Sequence, residues 1–193
     1  MAKLYFRYGV MGSSKSAQAL ITKFNYEEQG MRVWLIKPAA DTRYGADKVH
    51  SRIGLEQPAD VINDDMDLYE VFRDREREFY DVIIVDEAQF LQHAHVEQLR
   101  EIVDYYNVPV FCFGLRTDFR TRLFPGSARL FELADSVTEL KTVCTCGGKA
   151  MVNARIDAEG RVVTEGEQFL LGGNESYRPM CYKCWKLKSK SEK

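Results

Sequence analysis

A mainly parallel α/β sheet with helices on both faces is the fold class that this 193-residue sequence predicts, and three features predict it. Short unbroken apolar runs, RVWLIK, DVIIV and VPVFCFGL, have strand length and no polar alternation, as strands covered on both faces do. Stretches with helical apolar spacing lie between them, and parallel neighbours need such crossovers. A turn of small residues, GVMGSSKS, joins the first strand to a helix.

Residues 3–9 (KLYFRYG) read as the strand entering that turn. Ala17, Leu20, Ile21 and Phe24 follow at helical spacing as far as Gly30, where a glycine ends a helix. Residues 32–37 are the next strand. Residues 63–80 (NDDMDLYEVFRDREREFY) read as a helix with candidate caps at Asn63 to Asp65 and an apolar stripe through Leu68, Val71 and Phe72. Residues 81–90 (DVIIVDEAQF) form a second buried strand ending in acids. A helix over residues 96–106 leads to the third apolar strand, 108–115, and residues 136–144 (SVTELKTVC) close the sheet.

Composition shifts near residue 143. Beyond it lie four of the five cysteines, an alternating stretch ARIDAEGRVVTEGEQFLL that pairs as a hairpin across Glu159 and Gly160, the loop GGNESYRP, and a basic tail. The expected organisation is a nucleotide-binding domain over residues 1–142 and a small second domain over 143–193. The tail from about 187 is a solvated end. Acids (29) nearly balance bases (27), so no field of one sign advertises nucleic acid. No apolar run approaches the roughly 20 residues that cross a bilayer, and MAKLYF lacks a signal-peptide stretch, so a cytoplasmic location without membrane contact is expected.

The pattern G-x-x-x-x-G-K-[ST] falls on residues 9–16 with one departure, Ser14 where the second glycine belongs. The backbone N–H groups of such a turn, here spanning Gly9, Met11, Gly12, Ser13 and Ser14, point at phosphate oxygens, and the following helix adds its positive end. Lys15 reaches the β and γ phosphates of ATP, and the Ser16 hydroxyl is placed to ligate Mg²⁺. Serine adds only a Cβ and a hydroxyl, so the loop is expected to tolerate it. Asp86, at the end of an apolar strand, opens onto the same sheet edge and suits a Mg²⁺-positioning acid. Glu87 beside it is then available to take a proton, from a substrate hydroxyl or, as in an ATPase, from water.

Five spaced stretches, YGVMGSSKS, DTRYG, VDEAQF, FGLRTDFR with LFPG, and LLGGNESYRPMCYKC, resemble in this order the thymidine kinases of the cellular (type II) family. The resemblance implies a P-loop (RecA-like) domain and a zinc-binding lasso or lid over the nucleoside. It implies Glu87 as the base that deprotonates the 5′-OH of thymidine, and Arg43 near the reacting phosphates, oriented by Asp41. It puts Met11, Phe90, Leu115, Phe119, Phe124 and Tyr177 around the thymine ring, with backbone contacts from the segment spanning Gln168 to Tyr177. Asn153 aligns near the thymine methyl. The family also implies a homotetramer, acceptance of deoxyuridine, and feedback inhibition by thymidine triphosphate.

Cys144, Cys146, Cys181 and Cys184 are a candidate structural zinc set, in which the second pair has the usual C-x-x-C knuckle spacing and the first is a tighter C-x-C. His93 and His95 stand at a helix entrance and read as solvated or capping; His50 and Cys112 read as unremarkable. Two other functions fit parts of the pattern: an ATPase of the same fold stimulated by nucleic acid, and a non-catalytic zinc-ribbon adaptor.

Overall fold

The structure, a computed structural model, describes residues 1–41, 45, 47–74, 80–168 and 176–190. Its main sheet has six strands, β1 (Leu4–Tyr8), β2 (Val33–Pro38), β5 (Asp60–Ile62), β6 (Val82–Val85), β7 (Val110–Gly114) and β8 (Ser136–Glu139). They run in the order β5-β2-β6-β7-β1-β8 with every pairing parallel. The expected fold class is the one found. Two short strands, β3 (Lys48–His50) and β4 (Glu56–Pro58), form an antiparallel hairpin outside the sheet.

Alternation along the buried strands divides the core into two layers. Val82 and Ile84 of β6 and Phe111 and Phe113 of β7 pack with Ala19 and Leu20 of helix α1 (Lys15–Glu27). Ile83, Val85, Val110 and Cys112 face the other way. There they meet Leu68 and Phe72 of α2 (Leu68–Asp74), Val96, Leu99, Ile102 and Val103 of α3 (His93–Tyr106), and Leu130 of α4 (Pro125–Leu133). Fully apolar strands are required because both of their faces are covered.

Several boundaries differ from the sequence reading. Helix α2 is capped by Asp67, whose carboxylate accepts from the Glu70 N–H at 2.9 Å; Asn63 instead closes a turn, its carbonyl accepting from Met66 N–H. Helix α3 begins at His93, three residues before the expected start, and its entrance is a reciprocal cap between Gln92 and His95. The His95 ring, buried and 3.1 Å from the Met66 carbonyl, is therefore the capping group expected of it. Helix α4 was not read from the sequence. Its one signal was Pro125 at the first helical position.

A second, smaller core lies beyond the sheet. Strands β9 (Val152–Ile156), β10 (Val162–Val163) and β11 (Tyr177–Met180) pair antiparallel, with β9 in the middle, and helix α5 (Tyr182–Lys190) follows. The β9–β10 hairpin turns through Glu159 and Gly160 as expected. Ala150, Val152, Ala154, Ile156, Val162, Met180 and Trp185 pack together there, and Val10, from the turn after β1, joins them.

Between β6 and α3 a short 3₁₀ turn, Ala88–Phe90, is wedged against α4. A Cβ built on Gly126 would stand 2.7 Å from the carbonyl oxygens of Ala88 and Leu91 and 3.0 Å from that of Gln89. Gly126→Ala is expected to lower the unfolding free energy by about 2 kcal/mol, the ordinary cost of overpacking a tight contact. Urea titration checks this, and an unchanged midpoint would mean that the turn is free to shift.

Candidate functional site

The C-terminal ends of the parallel strands share one edge, and the candidate groups come from the loops that leave them. The small-residue turn follows β1, Asp41 follows β2, Asp86 and Glu87 follow β6, and Leu115 follows β7. Because β7 lies between β1 and β6, the ends of those two strands are two strand spacings apart, roughly 10 Å, and the first turn of α1 crosses the interval to bring the Ser16 hydroxyl onto the Asp86 carboxylate. A cavity of about 380 Å³ opens beside this junction. It is lined by Met11, Gly12, Ser14, Lys15 and Ser16 on one side and by Asp86, Glu87 and Leu115 on another. Asp41 and the β3–β4 hairpin, from Lys48 to Ile53, complete the wall.

Each wall has a local cause. Gly9 lets the turn fold tightly against β8, since a Cβ there would lie 2.3 Å from Ser13 Oγ and 2.5 Å from the Leu140 carbonyl oxygen. Ser14 takes the left-handed conformation, φ 61° and ψ 28°, immediately before the first residue of α1. The position therefore favours glycine for its backbone angles. Lys15 is buried and donates to the Val10 carbonyl at 2.9 Å, with Ser13 Oγ 3.5 Å away. Met11 N–H donates to Asn153 Oδ1 at 2.7 Å, and Asn153 Nδ2 donates to the Thr117 carbonyl at 2.9 Å. One buried amide thus ties the turn to the loop after β7 and to the smaller core.

Glu87 also sits in the left-handed region, at φ 51°. Gln89, fully buried, donates from Nε2 to the Glu87 carboxylate and accepts from the Leu115 N–H at 2.9 Å. Non-glycine residues with positive φ are uncommon and cluster where a site holds strain. Asp86 is buried and accepts from the Ser16 hydroxyl; burial first, then the charge of Glu87, pushes its carboxyl up to about 7. A hydroxyl bonded to a buried carboxylate is a hard-oxygen donor pair of the kind that holds Mg²⁺, and a divalent cation would offset the burial of that charge.

Arg43 lies outside the described residues. The aromatic residues expected around a base do not line this cavity. Phe124, at the cap of α4, meets Phe90 edge-on with ring centres 5.7 Å apart. Phe119 is fully buried under the Arg155 guanidinium, and Tyr177, half-buried, bonds to the same group. Gln168 is half-buried beyond β10. His50, which looked unremarkable, lines the cavity, because the hairpin that carries it was not legible in the sequence.

Lys37 also escaped the sequence reading. Buried at the end of β2, its ammonium lies 3.1 Å from Asp41 Oδ2 and donates to the carbonyls of Gly45 and Lys48 at 3.3 and 3.2 Å. It thereby fastens the segment that closes the cavity. The only hint was a lysine inside an apolar strand. For Gln89 and Asn153 nothing in the local pattern separates a structural amide from a solvated one.

The four cysteine sulfurs 144, 146, 181 and 184 lie within 4.8 Å of one another. Cys146 and Cys181 Sγ are 3.7 Å apart, close to the edge of about 3.8 Å that tetrahedral Zn–S bonds of 2.3 Å produce. Both members of the tight first pair therefore reach the cluster. Amides of Cys146 and then Cys181 pull the Cys144 thiol down to about 6, whereas hydrogen bonds with Cys181 and Cys146 push Cys184 up to about 12. Neighbouring thiolates cannot all ionise alone, and a divalent cation removes that conflict. Zinc fits these residues.

The thymidine kinase family model matches residues 2–185. The thymidine kinase of Legionella pneumophila (strain Lens) is 49% identical over 183 residues, 94% of this chain and 88% of that protein. That of Salmonella typhi is 46% identical over 187 residues, covering 96% and 91%, and that of Enterobacteria phage T4 is 48% identical over 187 residues, covering 96% of each.

The strain at Ser14 is measurable. Ser14→Gly is expected to raise the unfolding free energy by about 0.5–1 kcal/mol, the relief of a left-handed side chain less the entropy of a freer unfolded chain. Ser14→Val is expected to lower it by about 2 kcal/mol, because a β-branched residue fits this region worst. Urea titration of both variants checks the pair, and equal stabilities would remove the strain.

Proposed function

The chain belongs to the thymidine kinase family, and from that premise we propose that it transfers the γ-phosphate of ATP to the 5′-hydroxyl of thymidine, giving thymidine monophosphate and ADP. One observation carries the proposal: Lys15, Ser16, Asp86 and Glu87 line a single cavity, so the small-residue turn after β1 and the acid pair after β6 share one site at the sheet edge. Neither an adaptor without nucleotide chemistry nor an ATPase is favoured by that family.

The amides of residues 9–14 and the Lys15 ammonium bind the triphosphate, with the start of α1 adding its dipole. Ser16 and Asp86 hold Mg²⁺, which when bound supplies charge neutralisation on the phosphate oxygens. Glu87 accepts the proton of the 5′-OH as that oxygen bonds to the γ phosphorus and the bond to the β-phosphate oxygen breaks. Gln89 orients the carboxylate. Arg43, with Asp41 held by Lys37, stabilises charge on the transferring group. Met11 and Leu115 border the nucleoside; the family resemblance assigns the base to Phe90, Phe119, Phe124 and Tyr177, which stand outside the lining of this cavity, and to the backbone from Gln168 onward, of which residues 169–175 lie outside the described residues.

Residues 1–142 serve as the kinase domain and 143–193 as a lasso domain stapled by zinc on Cys144, Cys146, Cys181 and Cys184. About 35 residues between the cysteine pairs have a small core of their own, so a metal staple contributes much of their stability. Family membership further supports a cytoplasmic homotetramer that accepts deoxyuridine and is inhibited by thymidine triphosphate. Ile21 and Phe24, 47% and 56% exposed one turn apart on α1, support self-association.

Glu87→Gln is expected to lower turnover about 10²- to 10⁴-fold while ATP binding persists, the range for a positioned base; thymidine-dependent ADP formation beside nucleotide titration measures both. Near-normal turnover would remove Glu87 as the base. For the metal, one zinc per chain is expected by elemental analysis. Cys146→Ser and Cys184→Ser should each lose most of it and unfold at lower temperature; full retention in Cys146→Ser would exclude the tight pair as a ligand set.

A further inference from the structure

Arg155 is 4% exposed in β9 and has no carboxylate partner among the described residues. Burying a guanidinium without an anion is costly, and an apolar residue would fill a purely structural position better. Its contacts are specific. The guanidinium lies 3.7 Å from the centre of the Phe119 ring, and Nε and Nη2 donate to the Tyr177 hydroxyl at 3.0 and 2.6 Å. Tyr177 stands directly opposite Arg155 in the β9–β11 register.

Arginine has donors only, so the phenolic oxygen of Tyr177 accepts both bonds and its lone pairs are spent. The proton of that hydroxyl remains to be given, and no acceptor for it occurs among the described residues. Asn153 precedes Arg155 by two, on the same face of β9, and holds Met11 and Thr117. Arg155 therefore faces the phosphate turn and the loop that carries Phe119.

We propose that Arg155 is a positioning residue for nucleoside recognition: it makes Tyr177 an obligate hydrogen-bond donor to an acceptor oxygen of the nucleoside and fixes Phe119 beside it. This rests on the thymidine-phosphorylating reading above. Loss of a bond aimed by a charged group, made alike in the ground and transition states, raises KM and leaves kcat unchanged.

The test is steady-state kinetics on zinc-loaded full chains: wild type, Arg155→Met, Arg155→Lys, Tyr177→Phe and the double variant Arg155→Met/Tyr177→Phe. Arg155→Met and Tyr177→Phe are each expected to raise KM for thymidine about 10- to 100-fold, with kcat and KM for ATP within about threefold of wild type. The double variant is expected to be no worse than the weaker single variant, because both break one unit. Should Arg155→Met not fold with full zinc content, Arg155→Lys, which keeps the charge but loses the fork, carries the same comparison with Tyr177→Phe. Unchanged KM for thymidine, an equal rise in KM for ATP, or multiplicative effects in the double variant would overturn the role of Arg155 alone. A wild-type chain without thymidine-dependent ADP formation would overturn the functional reading with it.

Discussion

The insertion of β7 between β1 and β6 is the constraint on which the site depends. Parallel strands send their following loops to one edge, and β7 sets the ends of β1 and β6 two strand spacings apart, a gap that the start of α1 closes by placing Ser16 on Asp86. The buried, fully apolar character of β6 and β7 enforces the order, because neither tolerates an edge position without exposing Ile83, Ile84, Phe111 or Phe113.

Both sides of the cavity hold strained backbone. Ser14 and Glu87 are non-glycine residues in the left-handed region, each at the start of a helical turn. The surroundings over-determine them. Val10 is packed into the smaller core and Met11 is tied to Asn153, so the phosphate turn is clamped from the C-terminal region; Gln89 and the close approach of Gly126 clamp the acid. The cysteine-bearing region thus has a mechanical link to the phosphate turn besides any cover it gives the nucleoside.

Most of the architecture was legible because it follows from periodicity. The apolar strands, the glycine turn and the acid after β6 each announce themselves within a few residues. Boundaries were less so: Asp67 caps α2 although Asn63 to Asp65 look equally capable, since capping depends on where the chain turns. The hairpin that brings His50 to the cavity was missed because three-residue strands carry no usable alternation. Beside the local pairs Lys37–Asp41 and Gln89–Glu87, the bonds of Lys37, Gln89, Asn153 and Arg155 to Gly45, Leu115, Met11 and Tyr177 span 8 to 142 positions of chain, and such tertiary contacts leave no local mark. Ser14 was judged by size, whereas its backbone angle is the sharper reason that glycine suits the position.

Geometry with both substrates in place is the most direct test of the account. In a crystal structure with thymidine and a non-hydrolysable ATP analogue, the Glu87 carboxylate is expected within about 2.6–3.2 Å of the 5′-oxygen, while the γ-phosphate rests on the amides of residues 9–14 and on Lys15. A 5′-oxygen beyond reach of Glu87, with the triphosphate bound away from that turn, would contradict it.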